Sequence, residues 1–196
     1  MKKSIAALFA ASISAQQQFL YEYGDAPIGA IEEIVRALKA GGKILLFGNG
    51  GSAADAQHIA AEFVNRYLIE RPPLPAIALT TDTSALTAIA NDYGVADLFA
   101  KQIRALGRAG DVAIAISTSG NSANVLRALE VCRELRIRTI GLTGGSGGVM
   151  ATMVDHLLCV SVTSVTPRIQ EAHILIAHVI CELVEHVLFG AESNGR

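Results

Sequence analysis

Length, composition and charge set the first limits on this chain. Its 196 residues are about the length of one domain, and 51% hydrophobic residues provide ample material for a buried core. The formal net charge is −2 and lysines and arginines form no local cluster, which argues against binding to nucleic acid or to an anionic membrane surface. Three widely spaced cysteines in apolar segments, Cys132, Cys159 and Cys181, predict buried thiols in a reducing, cytoplasmic setting.

The first forty residues predict two helices. A basic start followed by an apolar run from Ile5 to Ala15 also fits a signal peptide, and this alternative stays open. A second helix is expected from Ala26 to Ala40, and we expect both helices to pack on the domain or on a neighbouring subunit. No run of the sequence is expected to span a bilayer. The competing interpretation of the first segment is an amphipathic helix whose apolar stripe contains Ile5, Leu8, Phe9, Ile13 and Phe19.

The stretch from residue 43 to residue 62 predicts a strand, a tight turn and a helix. The glycine-rich turn Gly48–Ser52 permits positive φ and close backbone approach, and the helix that continues from Ala53 points its first N–H groups at this turn. The turn therefore predicts a phosphate site. A dinucleotide site is the alternative, because Gly48, Gly50 and Ala53 fit G-x-G-x-x-A, although the expected acidic residue, Asp82, comes late.

His58 and Glu62 lie four positions apart on this predicted helix and therefore share one face. A ligand held by its phosphate at the glycine turn would extend over them. The simpler alternative is an exposed helical pair that contributes a few tenths of a kcal/mol.

Strands and helices alternate along the rest of the chain. This alternation predicts a doubly wound α/β sheet of about five parallel strands with ligand bound outside their carboxyl ends. A polar turn is expected at 91–94, between two apolar helical segments. The strands are expected at 43–47, 76–79, 112–116, 138–142 and 156–162.

The turn Ser117–Ser122 follows the third predicted strand and is rich in hydroxyl groups. Hydroxyls and the N–H groups of a helix N-terminus can hold a phosphate without lysine or arginine. An ordinary helix cap is the alternative, but hydroxyl or amide side chains at every position of the turn except Gly120 exceed what capping needs.

The last predicted helix begins near Thr166 and Pro167 and runs to about Phe189. It is apolar around too much of its circumference for one core-facing stripe, which indicates a subunit interface. Gln170 and His178 are polar residues on this helix, and a satisfied core or interface role is the simpler interpretation of each.

Taken together, these motifs resemble the sugar isomerase (SIS) domain, and within it the bacterial phosphoheptose isomerases. The resemblance covers nearly the whole chain, and it implies a single SIS domain over 1–196 with a helical extension at 1–40. The segments that carry it are Gly48–Ser52, His58 to Glu62, Asn91 and Asp92, Ser117–Ser122, and Arg168–Glu171 through His178.

The resemblance also implies an activity and a set of site residues. It implies a cytoplasmic homotetramer with active sites between subunits, which converts sedoheptulose 7-phosphate to D-glycero-D-manno-heptose 7-phosphate for surface polysaccharides such as lipopolysaccharide. By position, Glu62 and His178 would be the acid/base pair, and zinc would be held by His58, Glu62, Gln170 and His178. Substrate would be contacted by Asn49, Gly50, Gly51, Ser52, Glu62, Asn91, Asp92, Ser117, Thr118, Ser119, Ser122 and Gln170.

Simple chemistry agrees with this assignment. Aldose–ketose interconversion moves protons between adjacent carbons and between their oxygens, and a carboxylate with an imidazole is a sufficient set of groups. Gln170 and His178 are eight positions apart, about 12 Å along a helix, so they would strain to bind one ion from the same chain. We therefore expect a neighbouring subunit to complete at least one site.

Two other functions fit parts of the chain. A related non-enzymatic SIS protein binds the bacterial replication initiator, and this chain shares with it segments like Glu70–Pro75 and Leu86–Asn91. The acid/base positions do not look retained in that relative, whereas both are present here, which favours the isomerase. A sugar-phosphate sensor is the third possibility, but such regulators usually carry a DNA-binding domain for which we expect no spare length.

Overall fold

A computed structural model describes residues 1–190 as an α/β fold; the last six residues of the predicted domain, 191–196, lie outside the described part. The predicted alternation of strands and helices is confirmed. The strands are β1 Ile44–Gly48, β2 Ala76–Ala78, β3 Val112–Ile116, β4 Arg138–Gly144 and β5 His156–Val160. The helices are α1 Lys2–Tyr23, α2 Ala26–Lys39, α3 Gly51–Val64, α4 Thr83–Asp92, α5 Leu98–Leu106, α6 Ala123–Glu134 and α7 Thr166–Phe189, with short 3₁₀ turns at Val95–Asp97 and Val149–Thr152.

The five strands form one parallel sheet in the order β2-β1-β3-β4-β5. From β1 the chain continues to β2 on one side of β1, and it then returns to place β3 on the other side of β1. In doubly wound sheets this reversal opens a crevice at the carboxyl ends of the two central strands. Gly48 of β1 and Ile116 of β3 are paired there, directly before the two turns that the sequence predicts to bind phosphate.

Alternate residues of the strands pack into two hydrophobic cores, one on each face of the sheet. Ile44 and Leu46 pack with residues of α2, α3 and α7, whereas Leu45 and Phe47 pack with residues of α5 and α6. All four are fully buried, as expected for a parallel strand covered by helices on both faces. The central strands, and the turns at their carboxyl ends, are therefore rigidly placed.

The two N-terminal helices pack against the domain to different extents. Phe19 of α1 is buried in the core with α2, whereas Ile5, Leu8, Phe9 and Ile13 of the predicted stripe are more than half exposed. The first half of α1 is held instead by a hydrogen bond from Arg168 Nη1 to the Leu8 carbonyl oxygen, at 2.8 Å.

α7 corrects the expectation that no run could span a bilayer. By length and composition it is apolar enough to do so, but it packs on α2, α3 and the sheet, and 44% of its most apolar window is buried inside the protein. The exposed remainder forms a stripe at four-residue spacing, with Leu175, Val179, Leu183 and Val187 each at least 40% exposed. The surplus apolar surface that the sequence predicts is therefore present.

The turn expected at 91–94 begins two residues later than predicted, because Asn91 and Asp92 form the end of α4. Tyr93 and Gly94 make the turn, and Gly94 has a φ of 95°. All three cysteines are buried and free, as expected. Burial raises the pKa of Cys132 and Cys181 to about 12, which keeps these thiols protonated and unreactive.

Candidate active site

The glycine turn after β1 leaves the start of α3 open. Gly50 has a φ of 56°, which disfavours other residues, and no side chain caps α3. At Gly51 a Cβ atom would lie 2.3 Å from the amide nitrogen of Gln170, so a larger residue here would displace the Gln170 side chain. Ser52 is buried beneath the turn. The first N–H groups of α3 thus have no side-chain cap, and the binding of a phosphate to them stays a prediction.

The turn after β3 presents hydroxyl groups beside the glycine turn. Ser117 Oγ and Ser122 Oγ are 3.0 Å apart, and Ser119 Oγ accepts a hydrogen bond from the N–H of Asn121 at 3.2 Å. Thr118 lies partly exposed between them. Ser122 sits at the N-cap position of α6, yet its side chain does not cap the helix. The binding of a phosphate by these hydroxyl groups stays a prediction.

Two asparagines join the turns across the crevice. The side-chain amides of Asn49 and Asn124 exchange two hydrogen bonds, each 2.8 Å long. Asn124 is buried, whereas Asn49 is exposed at the lip of the crevice. The sequence analysis identifies Asn49 but not Asn124, whose only signal is an amide in the first turn of an otherwise apolar helix.

A cluster of two histidines and one glutamate lies beyond the glycine turn, where α3 meets α7. His58 Nε2 is 2.9 Å from His178 Nε2 and 3.4 Å from Glu62 Oε1, and one atom from each residue lies within 4.8 Å of the others. We call these residues the His–Glu cluster. The cluster stays accessible, since the side chains of His58 and Glu62 are 48% and 24% exposed. Residues 120 positions apart therefore meet within one chain.

The donors of the His–Glu cluster fit a zinc ion. Two imidazole nitrogens and one carboxylate oxygen are the ligand set of many catalytic zinc sites, in which a fourth position stays open. The close approach of two Nε2 atoms also suits a shared cation, because at most one of a facing neutral pair can donate a hydrogen bond to the other. No ligand from a second chain is needed to bring these three donors together.

The other predicted site residues lie apart from this cluster. Gln170 lies against Gly51, and seven residues of α3, about 10 Å of helix, separate Gly51 from His58. Its predicted role as a fourth ligand stays a prediction. Asn91 and Asp92 are exposed on the last turn of α4, where Asn91 Nδ2 donates to Asp92 Oδ1 at 2.8 Å. Their contact with substrate also stays a prediction.

Two residues of this region escape the sequence analysis. Asp55 lies on the same face of α3 as Gly51 and His58, and burial raises the pKa of its carboxyl group while His58 partly opposes the shift. The Tyr67 ring lies 5.7 Å from the His178 ring, and the pKa of its phenol is raised by burial and by nearby carboxylates. The spacing of three residues between Asp55 and His58 could have indicated that Asp55 belongs to the site. Tyr67 follows α3 in an irregular segment, and no sequence pattern points to it.

Known proteins similar to this chain share both its sequence and its fold. The SIS domain family profile matches residues 8–144. Phosphoheptose isomerase 2 of Campylobacter jejuni is 56% identical over 185 residues, covering 93% of this chain and 91% of that protein. The structure of the phosphoheptose isomerase from Neisseria gonorrhoeae is similar with a TM-score of 0.89 and 50% identity, over 94% of this chain and 98% of that one. The phosphoheptose isomerase from Francisella tularensis gives 0.90 and 41%, over 94% and 97%.

Proposed function

The chain belongs to the SIS domain family and, within it, to the phosphoheptose isomerases, and we propose from this premise that it converts sedoheptulose 7-phosphate to D-glycero-D-manno-heptose 7-phosphate. The observation that carries the proposal is the meeting of Glu62 and His178 in one accessible cluster with His58, which lies about 10 Å along α3 from the uncapped glycine turn. A ligand held by a phosphate at that turn would reach the cluster with its carbonyl end.

Glu62 and His178 supply the acid and the base of the reaction. The ketose loses a proton from C1 to give an enediol, and C2 then gains a proton while hydrogens move between O1 and O2. A carboxylate and an imidazole held side by side can accept and return these protons. Each positioned group of this kind contributes a rate factor of about 10²–10⁴.

The two turns at the carboxyl edge would hold the rest of the substrate. The uncapped start of α3 at Gly50, Gly51 and Ser52 and the hydroxyls of Ser117, Thr118, Ser119 and Ser122 suit the phosphate. Asn49, Asn91, Asp92 and Gln170 offer amide and carboxylate groups for the sugar hydroxyls. The Ser117–Ser122 hydrogen bond would be exchanged for bonds to the phosphate oxygens.

His58, Glu62 and His178 would hold a zinc ion, with Gln170 as a further ligand. Such an ion polarises a carbonyl oxygen and stabilises negative charge on it. The binding of zinc also competes for the electron pairs that Glu62 and His178 need as bases. The chain's own part of the chemistry is to orient these groups and to move the protons.

We further propose that the protein is a cytoplasmic homotetramer whose active sites lie at subunit contacts, and that its product feeds surface-heptose synthesis. The exposed apolar stripe of α7 and a largely apolar groove of about 390 Å³ between α1, α2 and α7 support burial by other subunits. Free buried thiols support a reducing compartment. Light scattering on the purified protein tests the assembly, and a monomer with full activity in dilute solution would overturn it.

The activity is tested by incubating the protein with sedoheptulose 7-phosphate in D₂O and following the sugars by NMR. We expect the aldose 7-phosphate to accumulate and to carry deuterium at C2 wherever the transferred proton exchanges with solvent. A Glu62→Gln variant run in parallel excludes a contaminating isomerase. Failure of the wild-type protein to form the aldose, with and without added zinc, would overturn the proposal and revive the initiator-binding alternative.

A further inference from the structure

A buried ion pair holds the segment that follows α3. The side chains of Arg71 and Glu185 are only 1% and 2% exposed, and Arg71 Nε lies 2.8 Å from Glu185 Oε1. The same carboxylate accepts hydrogen bonds from the backbone N–H groups of Tyr67, Leu68 and Ile69, at 2.9, 2.6 and 2.8 Å. We call Arg71 and Glu185 the clamp. It fixes three consecutive residues to α7.

The other face of the Arg71 guanidinium is bonded to the end of α3. Nη2 donates to the Glu62 carbonyl oxygen at 2.9 Å, and Nη1 donates to the Phe63 carbonyl oxygen at 2.8 Å. Carbonyls in the last turn of a helix lack partners within the helix, so Arg71 satisfies them and adds a favourable charge. The backbone of Glu62 is thereby held by the clamp, although its carboxylate is free to react.

The clamp also places a ring against His178. The Tyr67 and His178 rings are 5.7 Å apart between centroids and tilted by 36°, and the His58 ring lies 5.1 Å from His178. The N–H of Tyr67 is bonded to Glu185, so the clamp fixes the backbone from which this ring extends. His178 and Glu185 are also seven residues apart on α7, so the clamp and the imidazole lie along the same helix.

We propose that Arg71, Glu185 and Tyr67 are positioning residues that set the relative geometry of Glu62 and His178. The proposal rests on the proposed isomerase function. The clamp acts on Glu62 through its backbone and on His178 through the Tyr67 ring, and we assign none of the three residues a contact with the reacting atoms. Geometry of this kind matters because a misplacement of about 1 Å can cost about a hundredfold in rate.

Two replacements of Tyr67 test the ring. Tyr67→Leu removes it, and we expect kcat to fall about tenfold to a hundredfold while KM changes by less than about twofold. Tyr67→Phe keeps the ring and should retain kcat within about twofold. Tyr21→Leu, which changes a fully solvated tyrosine of α1, is the matched control. An unchanged kcat in Tyr67→Leu, or a loss of equal size in Tyr67→Phe, would overturn the role of the ring.

Arg71→Lys tests the clamp itself. Lysine keeps the positive charge beside Glu185 but cannot reach two carbonyls and a carboxylate at once. We expect kcat to fall about tenfold, whereas Arg66→Lys, in a solvent-exposed ion pair of the same segment, should change nothing. A folded Arg71→Lys variant with wild-type kcat would overturn the proposal, as would a change confined to KM.

A metal titration gives a second result that does not depend on turnover. Cobalt(II) bound to the His–Glu cluster is followed by its visible absorption, and we expect Tyr67→Leu and Arg71→Lys to bind it about tenfold more weakly than the wild type. Unchanged cobalt affinity in both variants would contradict the positioning role. If the wild-type protein binds cobalt but forms no heptose phosphate, the proposed reaction fails and the cobalt comparison still decides the proposal about the clamp.

Discussion

The His–Glu cluster and the Arg71–Glu185 clamp both connect the α3 region to α7, yet their surroundings are opposite. The clamp is buried, and its carboxylate is surrounded by four hydrogen-bond donors. Burial alone would raise the pKa of the Glu185 carboxyl, but hydrogen bonds from the N–H groups of Tyr67, Ile69 and Leu68 and from Arg71 outweigh burial and lower the pKa. The cluster is accessible and keeps lone pairs available. The Glu185 carboxylate is therefore fully engaged by its neighbours, whereas the polar atoms of the cluster stay accessible for chemistry.

The largest effect should follow from breaking the cluster. Glu62→Gln and His178→Gln each remove an acid/base group but keep a polar side chain of similar size, and we expect kcat to fall by about 10²- to 10⁴-fold. Folding and sugar-phosphate binding should persist, as measured by circular dichroism and calorimetry. Glu32→Gln, on the exposed face of α2, is the matched control. Normal turnover in either site variant would refute the acid/base assignment.

Breaking the clamp should instead cost stability. Arg71→Met leaves the Glu185 carboxylate buried without its charged partner, and we expect the free energy of unfolding to fall by about 3–5 kcal/mol. Urea denaturation at fixed protein concentration measures the change. Arg66→Met, which breaks the exposed Arg66–Glu70 pair, should cost at most about 1 kcal/mol. Equal effects of the two changes would remove the contrast between buried and exposed charges.

His173 sharpens the comparison, because it is a buried ionisable residue of α7 without a charged partner. Burial lowers its pKa to about 4, although a hydrogen bond to the Thr143 carbonyl oxygen at 2.9 Å partly opposes the shift. The unfolded chain therefore takes up a proton near the ordinary pKa of 6.5, before the folded protein does. As the pH falls from 6.5 to 4, we expect the protonation of His173 in the unfolded chain to lower the free energy of unfolding by about 3 kcal/mol.

The measurement for His173 is urea denaturation at several pH values. His173→Gln keeps an amide that can donate to Thr143 but does not titrate, so its stability should fall less steeply in this window. His186→Gln, an exposed histidine of the same helix, is the control and should follow the wild type. Parallel curves for wild type and His173→Gln would disprove the assignment.

The smallest effect is expected at the hydroxyl turn. Ser122→Ala removes one of several donors that suit the phosphate, and a single hydrogen bond contributes about 0.5–1.5 kcal/mol, so KM should rise about two- to twelvefold. We expect kcat to stay unchanged, because Ser122 is proposed to bind the phosphate and takes no part in proton transfer. Ser164→Ala, at an exposed position before α7, is the control. A loss in kcat with constant KM would contradict a binding role.

The sequence predicts the fold because each local pattern agrees with the global one. The apolar runs that end at Gly48 and before Ser117 become β1 and β3. Thr166 before Pro167 marks the start of α7 to within one residue, since Thr166 is the first helical residue and Val165 holds the N-cap position. The error at Asn91 has a simple cause. Polar, turn-prone residues can also complete the last turn of an exposed helix, and the positive φ of Gly94 decides where α4 ends.

The spacing of residues along the sequence predicts only part of the candidate site. His58 and Glu62 are four residues apart on one helix, so their pairing follows from helix geometry. His178 comes from a helix 120 positions further on, and only the family resemblance connects it to them. The clamp is missed altogether. Arg71 lies in a proline-rich linker and Glu185 in an apolar helix, and no sequence pattern shows that the two charges are buried together.

The parallel course of α3 and α7 has one further consequence. Gly51 meets Gln170 at one level of the helix pair, and His58 meets His178 two turns further on. Because both helices advance by the same rise per residue, the two levels are separated by about 10 Å along α3 and about 12 Å along α7. A sugar ester anchored at its phosphate would thus be selected by chain length, and a shorter homologue would bind without bringing its carbonyl to the imidazole.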